Sequence, residues 1–184
     1  MLSVMINSLI TSQTRIKLLL KFFLNSNTRA HLRGLESEFG DSSNGIRIEL
    51  NRMEEADLLH SSREGNKKFY YANKKHPLFG DIHNIIIKET GIDRVIENVI
   101  QRLGELECIY LTGDFAHGRD SNIIDLIFVG TGIDREYLTR KVQQAEELVG
   151  RKVRYIILNS DEADEYLLKF KPGDILPLWN CEDE

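Results

Sequence analysis

The sequence predicts a two-domain chain, an α+β unit over residues 1–90 followed by a small α/β unit over residues 91–184. Three observations predict it. Apolar residues recur at spacings of three and four through the first sixty or so positions, then give way to two β-prone runs around a glycine. After residue 91, strand-like and helix-like segments alternate. The charge also divides: residues 1–90 hold 13 Lys and Arg against 10 Asp and Glu, while residues 91–184 hold 11 against 19, so +3 and −8 make up the net −5. A mildly basic front half can meet phosphates and an acidic back half cannot, which places the boundary near Thr90-Gly91.

A chain of 184 residues, 41% apolar and 29% charged, is long enough for two small cores. It contains no run of about 18 uncharged apolar residues, and MLSVMINSLITSQTR has neither a basic leader nor a small-residue cleavage site. The expectation is a cytoplasmic protein with no membrane partner. Cys108 and Cys181 are far apart and lack C-x-x-C spacing, so a buried thiol and a tail thiol are expected rather than a disulfide framework or a zinc site.

TSQTRIKLLLKFFLN begins on the candidate cap Ser12 and carries Ile16, Leu19, Leu20 and Phe23 at helical spacing. TRAHLRGLESEFG sets Leu32, Leu35 and Phe39 on one face and ends on Gly40, which tolerates the left-handed conformation. DSS supplies a turn and a cap, and SNGIRIELNRMEEADLL then carries Ile46, Leu50 and Met53 inward. LLHSS and KKFYYAN, separated by REGN, form a hairpin signal with Gly65 at the turn. HPLFGDIHNIIIKETG gives a fourth helix, and its Leu78, Ile82, Ile85 and Ile86 exceed what one face needs, which predicts packing on a second chain or on the second domain.

On the third helix Asn44, Arg47, Ile48 and Asn51 fall on one side, roughly opposite the apolar stripe. Arginine bonds guanine bidentately, asparagine does the same with adenine, and an exposed isoleucine touches a thymine methyl. A solvated polar face is the ordinary alternative for such a helix. The hairpin decides between them, because Arg63, Lys67 and Lys68 crowd its tip, where core packing has no use for three cations and phosphate contact does.

From Thr14 to Asn73 the sequence, with EFGDSSNGIRIELNRMEEADLL followed by SSREGNKKFYYAN, resembles the winged helix-turn-helix of arsenic-repressor-like bacterial transcription regulators. The resemblance implies a homodimer whose third helix enters the major groove of a pseudo-palindromic double-stranded DNA operator while the wing meets the backbone. Ser43, Asn44, Arg47, Ile48 and Asn51 would then face DNA from the recognition helix, and Arg63, Lys67 and Lys68 from the wing. Many relatives sense metals through paired cysteines or histidines. Here the first domain has no cysteine, and His31, His60, His76 and His83 show no i, i+4 pairing, so no metal site is expected.

In the second half, IDRVIENVIQRLG reads as a helix ending on Gly104, ECIYLTG and IIDLIFVG as strands, REYLTRKVQQAEELVG as a helix, KVRYIIL as a third strand and DEADEYLLKF as a last helix. KPGDILPLWN reads as an ordered end. The stretch GDFAHGRDSNIIDLIF, which runs from the end of the first strand into the second, resembles the minimal nucleotidyltransferase fold, in which a strand ends in Gly-Ser and the next carries Asp-x-Asp. In that family the carboxylates hold two Mg²⁺ for in-line transfer. Gly113 matches the glycine, but Asp114 stands where serine is expected, Ile123 replaces the first aspartate and only Asp125 remains. Arg154 stands on the third strand, where a further carboxylate belongs, and Asp114 would repel a triphosphate. Asp114, Asp120 and Asp125 as an unusual metal site is weighed against solvated loop acids, which are commoner.

The sequence therefore predicts a homodimeric DNA-binding regulator with a catalytically degenerate second domain that serves dimerisation, a protein partner or a nucleotide or other small ligand. No catalytic residue, metal or cofactor is expected. The alternatives are an active nucleotidyltransferase using Mg²⁺ in an unusual site, and an antitoxin-like protein-binding module.

Overall fold

The computed structural model describes residues 4–100 and 103–180, which divide between Glu89 and Thr90 into two compact units. The helices of the first are α1 (Val4–Leu9), α2 (Gln13–Leu19), α3 (Leu32–Phe39), α4 (Ser43–Glu55) and α5 (Phe79–Thr90, whose last residue falls in the second unit). Its strands are β1 (Ala30–His31), β2 (Leu59–Glu64) and β3 (Lys67–Ala72).

The Ser12 hydroxyl caps α2 by accepting from the Arg15 amide. The helix then widens into a π turn, Leu20–Leu24, in which Phe22, Phe23 and Leu24 are all buried. Three adjacent residues span about 200° of a regular helix, so this segment is enclosed on most of its sides. The sequence leads into α3 with one continuous helical stretch, and the structure corrects that. Ala30 and His31 are extended and pair with Tyr70 and Phe69, and the His31 ring caps α3 by accepting from the Gly34 amide. Gly40 ends α3 at φ +68°, and Ser42 caps α4 by accepting from the Gly45 amide. Two helices joined by Gly40, Asp41 and Ser42 make a helix-turn-helix. Leu35, Ile46 and Leu50, all fully buried, belong to its core, each contributing roughly 1.5–3 kcal/mol relative to exposure.

The hairpin β2–β3 closes at Glu64↔Lys67 through the two-residue turn Gly65-Asn66, with φ +56° at Gly65 alone, as a hairpin with glycine in the first central position requires. Strand order is β1-β3-β2, all antiparallel.

The second unit is built from α6 (Ile92–Val99), β4 (Glu105–Thr112), α7 (Gly113–Ala116), β5 (Ile123–Thr131), α8 (Arg135–Val149), β6 (Lys152–Leu158), α9 (Ser160–Leu167) and β7 (Leu176–Trp179). Gln101 and Arg102, within the expected first helix of this half, lie outside the described residues. The sheet is mixed, in the order β6-β5-β4-β7, with β5 parallel to β6 and β4 antiparallel to both neighbours. Side chains alternate along β5. Ile127 and Val129 pack with Ala163, Tyr166 and Phe170 of the α9 region, whereas Phe128 meets Tyr155, whose hydroxyl hydrogen-bonds Thr139 of α8. Helices therefore cover both faces.

Two features of this unit correct the sequence expectation. The ordered end contributes a fourth strand, β7, and Cys108 is disulfide-bonded rather than a free thiol. Strand β7 returns the chain to β4, where the Asn180 side chain donates to the Glu107 carbonyl at 3.1 Å. Cys181 lies outside the described residues.

Candidate functional site

Helix α4 is held by its buried face. The Glu49 carboxylate, nearly enclosed, accepts from Ser12 Oγ at 2.9 Å, Arg15 Nε at 2.8 Å and Arg52 Nη1 at 3.3 Å. In the turn before α4, Asp41 accepts from Lys17 Nζ at 2.7 Å and Thr14 Oγ1 at 2.8 Å. For both carboxyls burial alone acts most strongly and raises the pKa, but the hydrogen bonds and charges of Arg15 and Ser12, or of Lys17 and Thr14, outweigh it together and leave the value lowered. These contacts tie α2 to the turn and to α4 and so fix the direction in which α4 points.

Its outer face is free to meet a partner. Asn44, Arg47, Ile48 and Asn51 are exposed, Ile48 to 43%, and Ser43 is half-buried at the first turn. Among the described residues no hydrogen bond or ion pair engages the side chains of Asn44, Arg47 or Asn51. An exposed strip at i, i+3, i+4 and i+7 is the width a groove admits.

The wing cations are less uniform than the sequence suggests. Arg63 and Lys67 are exposed, but Lys68 pairs with Glu54 of α4 at 2.7 Å and lies 4.8 Å from the Tyr70 ring centroid. The Lys68 hydrogen bond, joined by one from Ser61, lowers the Glu54 pKa, and the same bond raises that of Lys68. Lys68 thus fastens the wing to α4. The partner lies fourteen residues away, at a helix end, where no sequence pattern announces it.

In the second unit the loop after β4 is crowded. Gly113 takes φ +68°, and a Cβ there would lie 2.3 Å from Asp125 Oδ2. Asp125 stands opposite Thr112 on β4 and opposite Arg154 on β6, and Arg154 grips it with Nε at 2.6 Å and Nη2 at 3.0 Å. Asp114 pairs with Arg119 at 2.9 Å. Asp120 pairs at 3.0 Å with Arg151, whose buried guanidinium also donates to the Ser121 carbonyl and lies over the Phe115 ring. Each of the three candidate acids is therefore matched by an arginine. Among the described residues no group of three His, Cys, Asp or Glu side chains stands close enough to hold a metal ion. Asp125 and Arg154 line a cleft of about 490 Å³ together with Thr112, Ile156, Tyr166 and Phe170.

A helix-turn-helix with a flanking β-wing, joined to a mixed-sheet α/β unit, is the class of protein this geometry defines. No protein family and no curated protein matches the chain. Among solved structures, reduced HlyU of Vibrio cholerae aligns at 13% identity and TM-score 0.35, over 53% of this chain and 88% of its own. A mutant form of ZitR from Lactococcus lactis aligns at 16% identity and TM-score 0.35, over 48% of this chain and 62% of its own. A candidate nucleotidyltransferase from Sulfolobus solfataricus aligns at 28% identity and TM-score 0.31, over 50% of this chain and 85% of its own. No helix among the described residues is long and apolar enough to cross a membrane.

Proposed function

We propose that the chain is a cytoplasmic transcription regulator of the arsenic-repressor-like type that binds a double-stranded DNA operator as a homodimer. The exposed, unengaged face of α4 carries this reading. Arg47, Asn44 and Asn51 supply bidentate donors and acceptors, Ile48 an apolar contact, and Ser43 a hydroxyl at the first turn. Arg63 and Lys67 supply backbone charge, with Lys68 positioning the wing more than touching phosphate. Dimerisation draws support from exposed Leu78 and Ile85 and from an apolar groove that Ile6, Leu9, Ile82 and Ile86 line.

The α/β unit serves assembly or ligand binding in this reading rather than nucleotidyl transfer. Support comes from Arg154, which neutralises the carboxylate that a metal would need. Selection of bound fragments from a genomic library, repeated at two salt concentrations, tests the proposal. It should enrich an inverted repeat with half-sites about 34–36 Å apart or a multiple of that. Weak binding to every fragment alike would overturn it.

A further inference from the structure

We infer that the base of the wing forms a binding site for a phosphorylated small molecule of the nucleotide class, independent of the DNA-binding reading. Along β3 the side chains alternate: Lys68 and Tyr70 face α4, and Phe69 and Tyr71 face the other way. On that outer face the Arg29 guanidinium lies 5.5 Å from the Phe69 centroid and 6.0 Å from that of Tyr71, and the His60 ring meets Tyr71 edge-on at 6.0 Å. A groove of about 560 Å³ opens there, lined by Arg29, His60, Tyr71, Asn73, Lys74 and Lys75 among others.

The groove concentrates the positive charge of its half of the chain. Residues 1–90 carry +3, and the lining holds three permanent cations and no carboxylate, with the Asp57 carboxylate reaching His60 Nε2 at 3.1 Å from outside it. Arg29 is matched by Glu64 at 2.6 Å, but Lys74 donates to the neutral Asn27 amide oxygen at 2.7 Å, and Lys75 is exposed. The lysine pair is held in place from behind. Asn73, itself buried, donates to the carbonyl and the carboxylate of Asp57 and accepts from the Lys75 amide at 3.0 Å.

Two uncompensated ammonium groups beside a half-exposed tyrosine suit an anion that carries a ring. Lysines bind phosphate as point charges, and an aromatic ring stacks against Tyr71. The volume falls in the range of about 300–1,000 Å³ usual for small-molecule sites. Phosphate from a DNA backbone is the other source of the same chemistry. The groove lies on the sheet face away from α4, the helix that the proposed reading sets in the major groove, so the geometry favours a free ligand.

The test uses the full-length chain, without DNA, in equilibrium dialysis against ATP, GTP and pyrophosphate, with duplex DNA binding measured in parallel. A nucleoside triphosphate should bind once per chain, and Lys74→Glu with Lys75→Glu should weaken it at least about tenfold through the loss of two attractive charges. Tyr71→Leu should weaken the nucleotide and spare pyrophosphate. Unchanged melting temperature certifies the fold of each variant, and the single Lys75→Gln, at an exposed position, replaces any that melts early and should itself weaken the nucleotide. No nucleotide bound at millimolar concentration, or equal binding by the lysine variants, overturns the inference. So does a loss confined to duplex DNA, which would make the groove a backbone contact.

Discussion

Arg154 holds Asp125 through two nitrogens from the neighbouring parallel strand, at 2.6 and 3.0 Å. A guanidinium there supplies the charge that a metal would bring, and supplies it permanently. In the reading proposed above, the site transfers no nucleotide. Incubation with labelled nucleoside triphosphates and Mg²⁺ or Mn²⁺ should leave protein and RNA unlabelled for the native chain and for Asp125→Ala alike. Labelling that Asp125→Ala abolishes would restore the enzyme reading.

Gly113→Ala should destabilise the second unit more than Gly150→Ala does. Both glycines adopt left-handed φ, near +68° and +66°, but a Cβ at position 150 meets open space and one at 113 meets the Asp125 carboxylate. The conformation alone costs about 1–2 kcal/mol for a residue with a side chain. At position 113 the clash with the Asp125 carboxylate adds to it. Denaturant midpoints of the two variants measure the difference, and equal losses would show that the carboxylate yields without cost.

The three wing cations should separate in a salt titration. Arg63→Ala and Lys67→Ala should weaken binding to all DNA sequences alike and each lower the salt slope by about 1. Lys68→Ala should lower the slope less and the melting temperature more, because its ammonium is spent on Glu54. Equal slopes for all three would place Lys68 on the backbone after all.

The helix-turn-helix should lose stability in acid. Asp41, Glu49 and Glu54 have pKa values held below their ordinary 3.8, 4.5 and 4.5. For a carboxylate lowered by folding, the stabilisation is fully present above the unfolded value and disappears as pH falls through the folded one. Melting temperature should therefore hold between pH 7 and about pH 5 and decline below about 4.5. Glu49→Gln should lower it at neutral pH and flatten the decline, whereas an unchanged acid profile would remove Glu49 from the account.

Local chemistry is what the sequence displays. Ser12 and Ser42 cap helices and Gly40 ends one because each acts on amides within four residues, or on its own φ. The exposed face of α4 follows from helical periodicity in the same way. What escaped depends on distant partners: β1 forms because residues 30 and 31 meet β3, and β7 because the chain returns to β4. In the second unit, Ile123 and Asp114 were readable as departures from a pattern, and Arg154 as the residue in a carboxylate's place. That Arg154 grips Asp125 is set by the β5–β6 register across 29 residues, which no local pattern encodes. The pairing of Asp120 with Arg151 has the same origin.

The most direct measurement is the affinity of the native chain and of Arg47→Ala for the selected operator and for a scrambled duplex at one salt concentration. If α4 reads bases, Arg47→Ala should lose about 1–3 kcal/mol on the operator and keep most of its affinity for the scrambled duplex. Equal losses on both duplexes, or none on either, would contradict a recognition role for α4.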